Sequence, residues 1–284
     1  MSIRSTGVLH LNLQKRVGIK RITNSLPLIW NLALRDLKGK YRRSFLGWTW
    51  SLLNPLSQVA IYWLVFGQLF EAVAPVGVPS GVNSFALFLL CGVIPWNFFG
   101  LVTNLGMNAL ITNPVLIKKV AFPREALVLS QSVFSVVQFL IEMSLVCVVL
   151  GIFGSPILKT FPVVIVVMLL LSLFATGIAL VLALFAVYFR DLLYLWTVVM
   201  QLYFFATPII WNLDSMAAKI PNGLELVLRN NPMALFIETF RSLTYDGSIV
   251  SAANLGRLVG WSVVSFVAGL FIFQSFGRRV PEEI

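Results

Sequence analysis

The stretch 161–188, FPVVIVVMLLLSLFATGIALVLALFAVY, contains no Asp, Glu, Lys or Arg. A helix needs about 20 predominantly apolar residues to cross the hydrocarbon core of a bilayer. This run exceeds that length, so it reads as a membrane span. Working outward, five more apolar runs cover 48–70, 85–111, 126–153, 192–210 and 258–276. Only helices and closed barrels satisfy their backbone polar groups inside lipid. The expected fold is an all-α polytopic membrane protein with six transmembrane helices. Pro55 sits near the start of the first span, and Pro95 marks a place where the long second span tilts or breaks.

Composition supports a lipid environment. The 284 residues are 58% hydrophobic and 11% charged, against roughly a quarter charged in a soluble domain. So few charges do not cover a water-facing surface. The 23 Phe and 8 Trp suit a chain with two membrane–water interfaces to anchor. Cys91 and Cys147 both fall in apolar runs and read as small buried hydrophobes.

Lys and Arg placement gives the expected orientation. The N-terminal region, the loop 112–125, the loop 189–191 and the C-terminus hold 16 of the 21 basic residues. The segments 71–84, 154–160 and 211–257 hold the other 5. Both termini are expected in the cytoplasm of a bacterial cell, with the chain multi-pass in the inner membrane. Arg4, Lys15, Arg16, Lys20 and Arg21 have no apolar h-region behind them, so no cleavable signal peptide is expected. The net charge of +10 follows topology and faces membrane lipid or a cytoplasmic partner, which argues against nucleic acid.

The expected organisation has four parts. Residues 1–26 form a flexible cytoplasmic N-terminus. Residues 27–46 form an amphipathic interface helix, with Trp30, Leu34, Leu37, Tyr41 and Phe45 on one face and Arg35, Lys38 and Arg42 on another. Residues 47–277 form the transmembrane domain, and 278–284 the cytoplasmic C-terminus. In the loop 112–125, Asn113 reads as a cap and Pro114 as a first-turn residue of a short basic helix. A second Asn-Pro pair, Asn231-Pro232, opens an apolar segment carrying Phe236 and Phe240. With Thr207-Pro208, it is expected to form short external re-entrant or interfacial helices.

Catalytic machinery is missing from the sequence. His10 is the only histidine, no G-x-x-x-x-G-K-[ST] phosphate loop occurs, and no paired carboxylates sit within the spans. The chain is expected to be a transport subunit, with no catalytic residues, metal site or bound cofactor. Glu142 is the one carboxylate deep in an apolar run. It reads either as a proton or substrate contact or as an interhelical residue bonded near Gln138. The first reading would suit a proton-coupled secondary transporter, the main rival class.

Several segments together resemble the permease subunit of ABC-2-type polysaccharide exporters. They are Arg35-Asp36-Leu37-Lys38 with Tyr41-Arg42 and Leu46-Gly47; Gly92-Val93-Ile94-Pro95-Trp96; Phe122-Pro123-Arg124-Glu125; Arg190-Asp191; Thr207-Pro208-Ile209; and Asn231-Pro232 with Phe240-Arg241. The resemblance implies export of O-antigen, teichoic acid or a galactan precursor on a polyprenyl diphosphate lipid. It implies a homodimer joined to two copies of a P-loop ATPase, which would use the ATP and Mg. It places Arg35, Lys38, Arg42, Lys118, Lys119, Phe122 and Arg124 at or near the ATPase contact. Trp63, Trp96, Phe99, Trp196 and Tyr203 become candidates for a sugar channel. Thr207, Pro208, Asn231, Pro232, Phe236 and Phe240 become candidates for an external gate. A drug or unmodified lipid remains the alternative cargo.

Overall fold

In a computed structural model, the described residues are 25–40, 47, 49–120, 122–212 and 227–277. Arg42, Arg43, most of 1–26 and all of 278–284 lie outside them. The elements are α1 (Leu26–Lys40), α2 (Thr49–Tyr62), α3 (Phe85–Asn108), α4 (Pro114–Lys119), α5 (Glu125–Ile152), α6 (Ile157–Tyr188), α7 (Leu192–Phe205), α8 (Pro232–Arg241) and α9 (Ala252–Phe276). No strand occurs among the described residues.

Among the described residues, four helices are long and apolar enough to cross a membrane: α3, α5, α6 and α9. The other two expected spans are less regular. Helix α2 changes into a wider π-helix over Trp63–Leu69, closed by a bond from the Phe70 amide to the Val65 carbonyl. Helix α7 has only 14 residues, about 21 Å at 1.5 Å per residue. It stops before Thr207-Pro208 because Pro208 has no amide proton to continue the ladder. The expected break at Pro95 does not occur. Pro95 lies inside α3, which runs on to Asn108. Helix α9 begins six residues before the apolar run, because the Ser251 side chain accepts from the Asn254 amide and caps it. Hydrophobicity alone does not reveal that polar start.

Helix α6 is the centre of the bundle. Within lipid, apolar side chains gain little by leaving their solvent, so helices associate through close packing of small residues. Here α9 crosses α6 at Gly177 and Gly269. A Cβ on Gly269 would lie 2.2 Å from the Gly177 carbonyl oxygen, and one on Gly177 would meet Ser265 backbone at 2.3 Å. Ser262 and Ser265 donate to the carbonyls of Leu170 and Phe174, each at 2.8 Å. On another face of α6, Gly106 of α3 rests against Ala179. The outer face of α9 is lined by exposed Trp261, Val264, Val267 and Phe271, which suits contact with lipid.

Helix α1 buries Ile29, Leu32 and Ala33. It packs along α5, where Gln131 donates to Asp36 at 2.7 Å and Lys40 donates to Gln138. The sequence reading chose the Trp30 face for the membrane interface. Trp30 is exposed and so open to lipid, but the protein-facing stripe is a different one. At one end of the bundle, the segments 71–84, 154–156 and 242–246 meet. Ser80 donates to the Tyr245 carbonyl and Ser155 to the Thr244 carbonyl, each at 2.6 Å. These are segments that the charge pattern grouped on one side.

Replacing Gly269 by Leu should force α9 off α6 and destabilise the chain by about 1–3 kcal/mol or more, the range for overpacking. Gly260→Leu, where a Cβ meets nothing within 4 Å, should be close to neutral. Thermal unfolding of the two variants in the same detergent checks this.

Candidate external gate and intramembrane cavity

Two regions gather the polar residues that a membrane bundle would otherwise avoid. The first forms where α7 ends. Thr207 turns its hydroxyl back to the Tyr203 carbonyl at 2.7 Å. Asn231 caps α8, accepting from the Met233 amide at 2.9 Å, with Pro232 as the first helical residue. The same Asn231 oxygen accepts from the Tyr203 hydroxyl at 2.6 Å, and its amide donates to the Thr207 hydroxyl at 3.2 Å. One short network therefore joins Tyr203, a channel candidate, to Thr207 and Asn231, both gate candidates.

Arg241 completes this region, and the sequence reading gave it no role. It is buried in α8, donates to the Pro208 carbonyl at 2.6 Å and to the Ile209 carbonyl, and lies 3.6 Å from the centre of the Phe88 ring. Space for it comes from Gly92 of α3, where a Cβ would stand 2.9 Å from the guanidinium. Three segments quoted for the family resemblance thus meet at one side chain: Gly92, Pro208-Ile209 and Arg241. Buried carbonyls without partners are costly, and a charged donor fixes their direction strongly. Phe236 and Phe240 do not line an opening. Both are fully buried and hold α8 down, Phe236 against Phe174 and Phe240 against Phe139.

The aromatic channel candidates divide. Trp96, Phe99 and Tyr203 form one cluster between α3 and α7, with ring centres 5.5–6.2 Å apart. Phe99 is only 1% exposed and serves as packing. Trp196 lies two turns earlier in α7 and donates to the Thr103 hydroxyl at 3.3 Å. Trp63 stands apart in the π-helix and is 40% exposed.

The second region is a cavity of about 820 Å³ among α1, α2, α3 and α5. Its walls include Trp50, Asn54, Gln58, Asn97, Asn104 and Glu142. Asn97 donates to Gln58 at 2.9 Å and Gln138 to Glu142 at 2.8 Å. Lys40 bonds Gln138 from α1 and also lies 4.9 Å from the centre of the Phe134 ring. Burial holds the Lys40 ammonium below its ordinary pKa, and the nearby Glu142 carboxylate opposes that shift. Glu142 accepts from Gln138 one turn earlier on the same helix, and Lys40 of α1 reaches that pair through Gln138. Lys40 was missed because its partners are about a hundred residues away in sequence.

The ATPase-contact candidates lie in two places. On α1, Lys38 is exposed and Arg35 pairs with the adjacent Asp36 at 2.8 Å; Arg42 is outside the described residues. On α4, Lys118 and Lys119 are exposed, and Phe122 is half-buried. The expected cap at Asn113 is absent: its side-chain amide points back to the Ala109 carbonyl at 2.9 Å. Arg124 turns inward and donates to the Gly277 carbonyl at 2.5 Å, which ties the α4–α5 connection to the end of α9. Cys91 and Cys147 are free thiols.

Comparison with known proteins adds the family. The model of the ABC-2 type transporter family matches residues 27–245. This chain belongs to the ABC-2 type transporter family. An O-antigen export system permease protein from Myxococcus xanthus is 32% identical over 260 residues, 90% of this chain and 95% of the relative. One from Klebsiella pneumoniae is 28% identical, covering 96% of this chain and 99% of the relative. A polysialic acid transport protein from Escherichia coli is 21% identical over 86% of this chain and 91% of its own length. The ABC-2 match runs from α1 to Tyr245, so it includes the Arg241 cluster, the cavity and α4.

Replacing Arg241 by Met leaves two buried carbonyls without their donor, at about 1–3 kcal/mol for each unsatisfied group. Amide hydrogen exchange should accelerate in 206–212 of this ABC-2 chain, while α6 stays protected. Mass spectrometry of deuterated protein in detergent measures both.

Proposed function

We propose that the chain is the transmembrane subunit of an ATP-driven exporter for a lipid-linked polysaccharide in a bacterial inner membrane. The observation that carries this reading is the nearly complete alignment with permeases named for O-antigen export, 90–96% of this chain. The distant relative named for polysialic acid transport points to the same class of cargo. The lipid carrier follows from the resemblance to exporters of polyprenyl-diphosphate-linked glycans.

Two copies of the chain would form the conduit. Helix α7 buries only Phe204 among its residues. Its exposed side carries Tyr194, Thr197 and Gln201 at helical spacing, a polar stripe poorly suited to lipid. The exposed side of α9 is apolar and needs no such partner. A second copy over α7 and α2 would cover the stripe and let it face a water-filled path. Six spans then follow if α2 with its π-helix and α7 with its following turn also cross. The excess of Lys and Arg at the α4 end supports a cytoplasmic position for that end and for both termini.

The sequence has no phosphate-binding loop of its own. Energy would come from a separate P-loop ATPase, two copies per dimer, seated on α4 and the exposed basic side of α1. ATP binding there favours one state of the dimer over another. The inward bond from Arg124 to the end of α9 gives a rigid link from the docking loop into the bundle. At the opposite end, the Arg241 cluster would hold the external gate closed. Cargo would then pass aromatic side chains, whose flat apolar faces suit sugar rings.

Depleting the chain should remove polysaccharide from the cell surface and leave lipid-linked glycan inside. Surface polysaccharide that persists at normal levels would refute the export reading. Replacing Lys118 and Lys119 together by Glu should cut ATPase co-purification at least tenfold and reduce export in proportion. Pull-down from solubilised membranes, with Lys159→Glu at the opposite end as control, measures it.

A further inference from the structure

The cavity of about 820 Å³ lies within one copy of the chain, bounded by α1, α2, α3 and α5. That volume falls within the roughly 300–1,000 Å³ of small-molecule sites. Its walls are unusual for a membrane bundle. Asn54, Gln58, Asn97 and Asn104 all reach it from two apolar helices. Polar groups at membrane depth are expensive, and they persist where they face water or a ligand. The amides are only partly used by each other: Asn97 bonds Gln58, and Asn104 bonds its own helix at the Gly100 carbonyl. Trp50 and Trp96 add broad aromatic faces.

Charge narrows the ligand. The cavity has one cation, Lys40, and one carboxylate, Glu142, linked through Gln138. The pair leaves no net positive charge for a diphosphate, whereas neutral amides beside aromatic rings match hydroxyl groups on an apolar ring. A second hollow, of about 530 Å³, shares Lys40, Leu101 and Leu105 with the first. It adds Arg35, Asp36, Gly39, Gln131 and Phe134; Leu101, Leu105 and Phe134 give it an apolar wall, and Arg35 lies along it paired with Asp36. A polar chamber joined to an apolar hollow fits an amphipathic molecule whose sugar, not its phosphate, enters the chamber.

We infer that this cavity binds the first sugar of a lipid-linked saccharide, with the lipid chain lying along the adjoining hollow. The inference rests on the export reading above and goes beyond it. It makes each copy of the chain a reader of sugar at the membrane. Asn97 and Asn104 recognise hydroxyls, Trp50 stacks on the ring, and Arg35 lies on the side where a phosphate linker would emerge.

The test uses the full chain with its ATPase subunit in lipid nanodiscs. The probes are polyprenyl diphosphate carrying one N-acetylglucosamine, the same lipid without sugar, and phosphatidylethanolamine. The sugar-bearing probe should bind at least tenfold more tightly than the sugar-free lipid. Asn104→Leu and Trp50→Leu should each erase most of that preference and leave the sugar-free affinity unchanged. Equal binding of the two polyprenyl lipids would overturn the inference. So would a preference that survives both substitutions, or displacement by phosphatidylethanolamine at comparable concentration. Export by the unmodified complex is measured in parallel. Its presence alongside a lost sugar preference would sink only the cavity assignment, and its absence would sink the export reading itself.

Discussion

The close approach of α9 and α3 to α6 is the contact on which the other features depend. Apolar side chains gain little by leaving lipid for protein, so distance between backbones matters more than area. Gly177 and Gly269 allow α9 almost to touch α6, and Gly106 lets α3 rest on Ala179. Hydroxyls of Ser262 and Ser265 then donate to α6 carbonyls, adding direction to contact. Once α3 is fixed on α6, its two working faces are fixed as well. One carries Gly92 toward α8, and the other carries Asn97 and Asn104 toward α2.

Arg241 shows how a buried charge is accommodated. It forms no ion pair among the described residues. Two carbonyls at the end of α7 and the face of Phe88 surround it instead. Those carbonyls are free because Pro208 ends the helix and leaves the local ladder incomplete. The helix break and the arginine therefore explain one another. A stripe without a Cβ at Gly92 is the third requirement. The Tyr203–Asn231–Thr207 network repeats the pattern with neutral groups: a helix end, a cap and a side chain from the preceding turn.

The two basic regions behave differently although both follow the same topology rule. Lys118 and Lys119 sit on a helix too short to bury them and remain available to a partner. Arg124, five residues later, points inward because the C-terminal carbonyls of α9 offer it an acceptor. Lys40 ends α1 beside α5 and is drawn into the cavity by Gln138 and Glu142. Charge counts assign all of these to one side of the membrane. They say nothing about which face solvent and which face the protein.

Much of the architecture was legible in the sequence because lipid imposes simple conditions. Long apolar runs must be helices, so α3, α5, α6 and α9 could be read directly from 85–111, 126–153, 161–188 and 258–276. Pro208 and Asn231-Pro232 marked a helix end and a helix start, since proline and cap chemistry act locally. The Asn113 cap failed because its amide found an equally local carbonyl, at Ala109. What tertiary structure alone decided was which residues far apart in the chain meet. Lys40 with Gln138, Arg241 with Gly92 and Gly177 with Gly269 each join distant helices, and no periodicity within one helix encodes its partner's rotation. The sequence by itself determined a helical membrane protein and its helix punctuation; only packing decided that Phe99, Phe236 and Phe240 fill the core while Asn97 and Asn104 open onto a cavity.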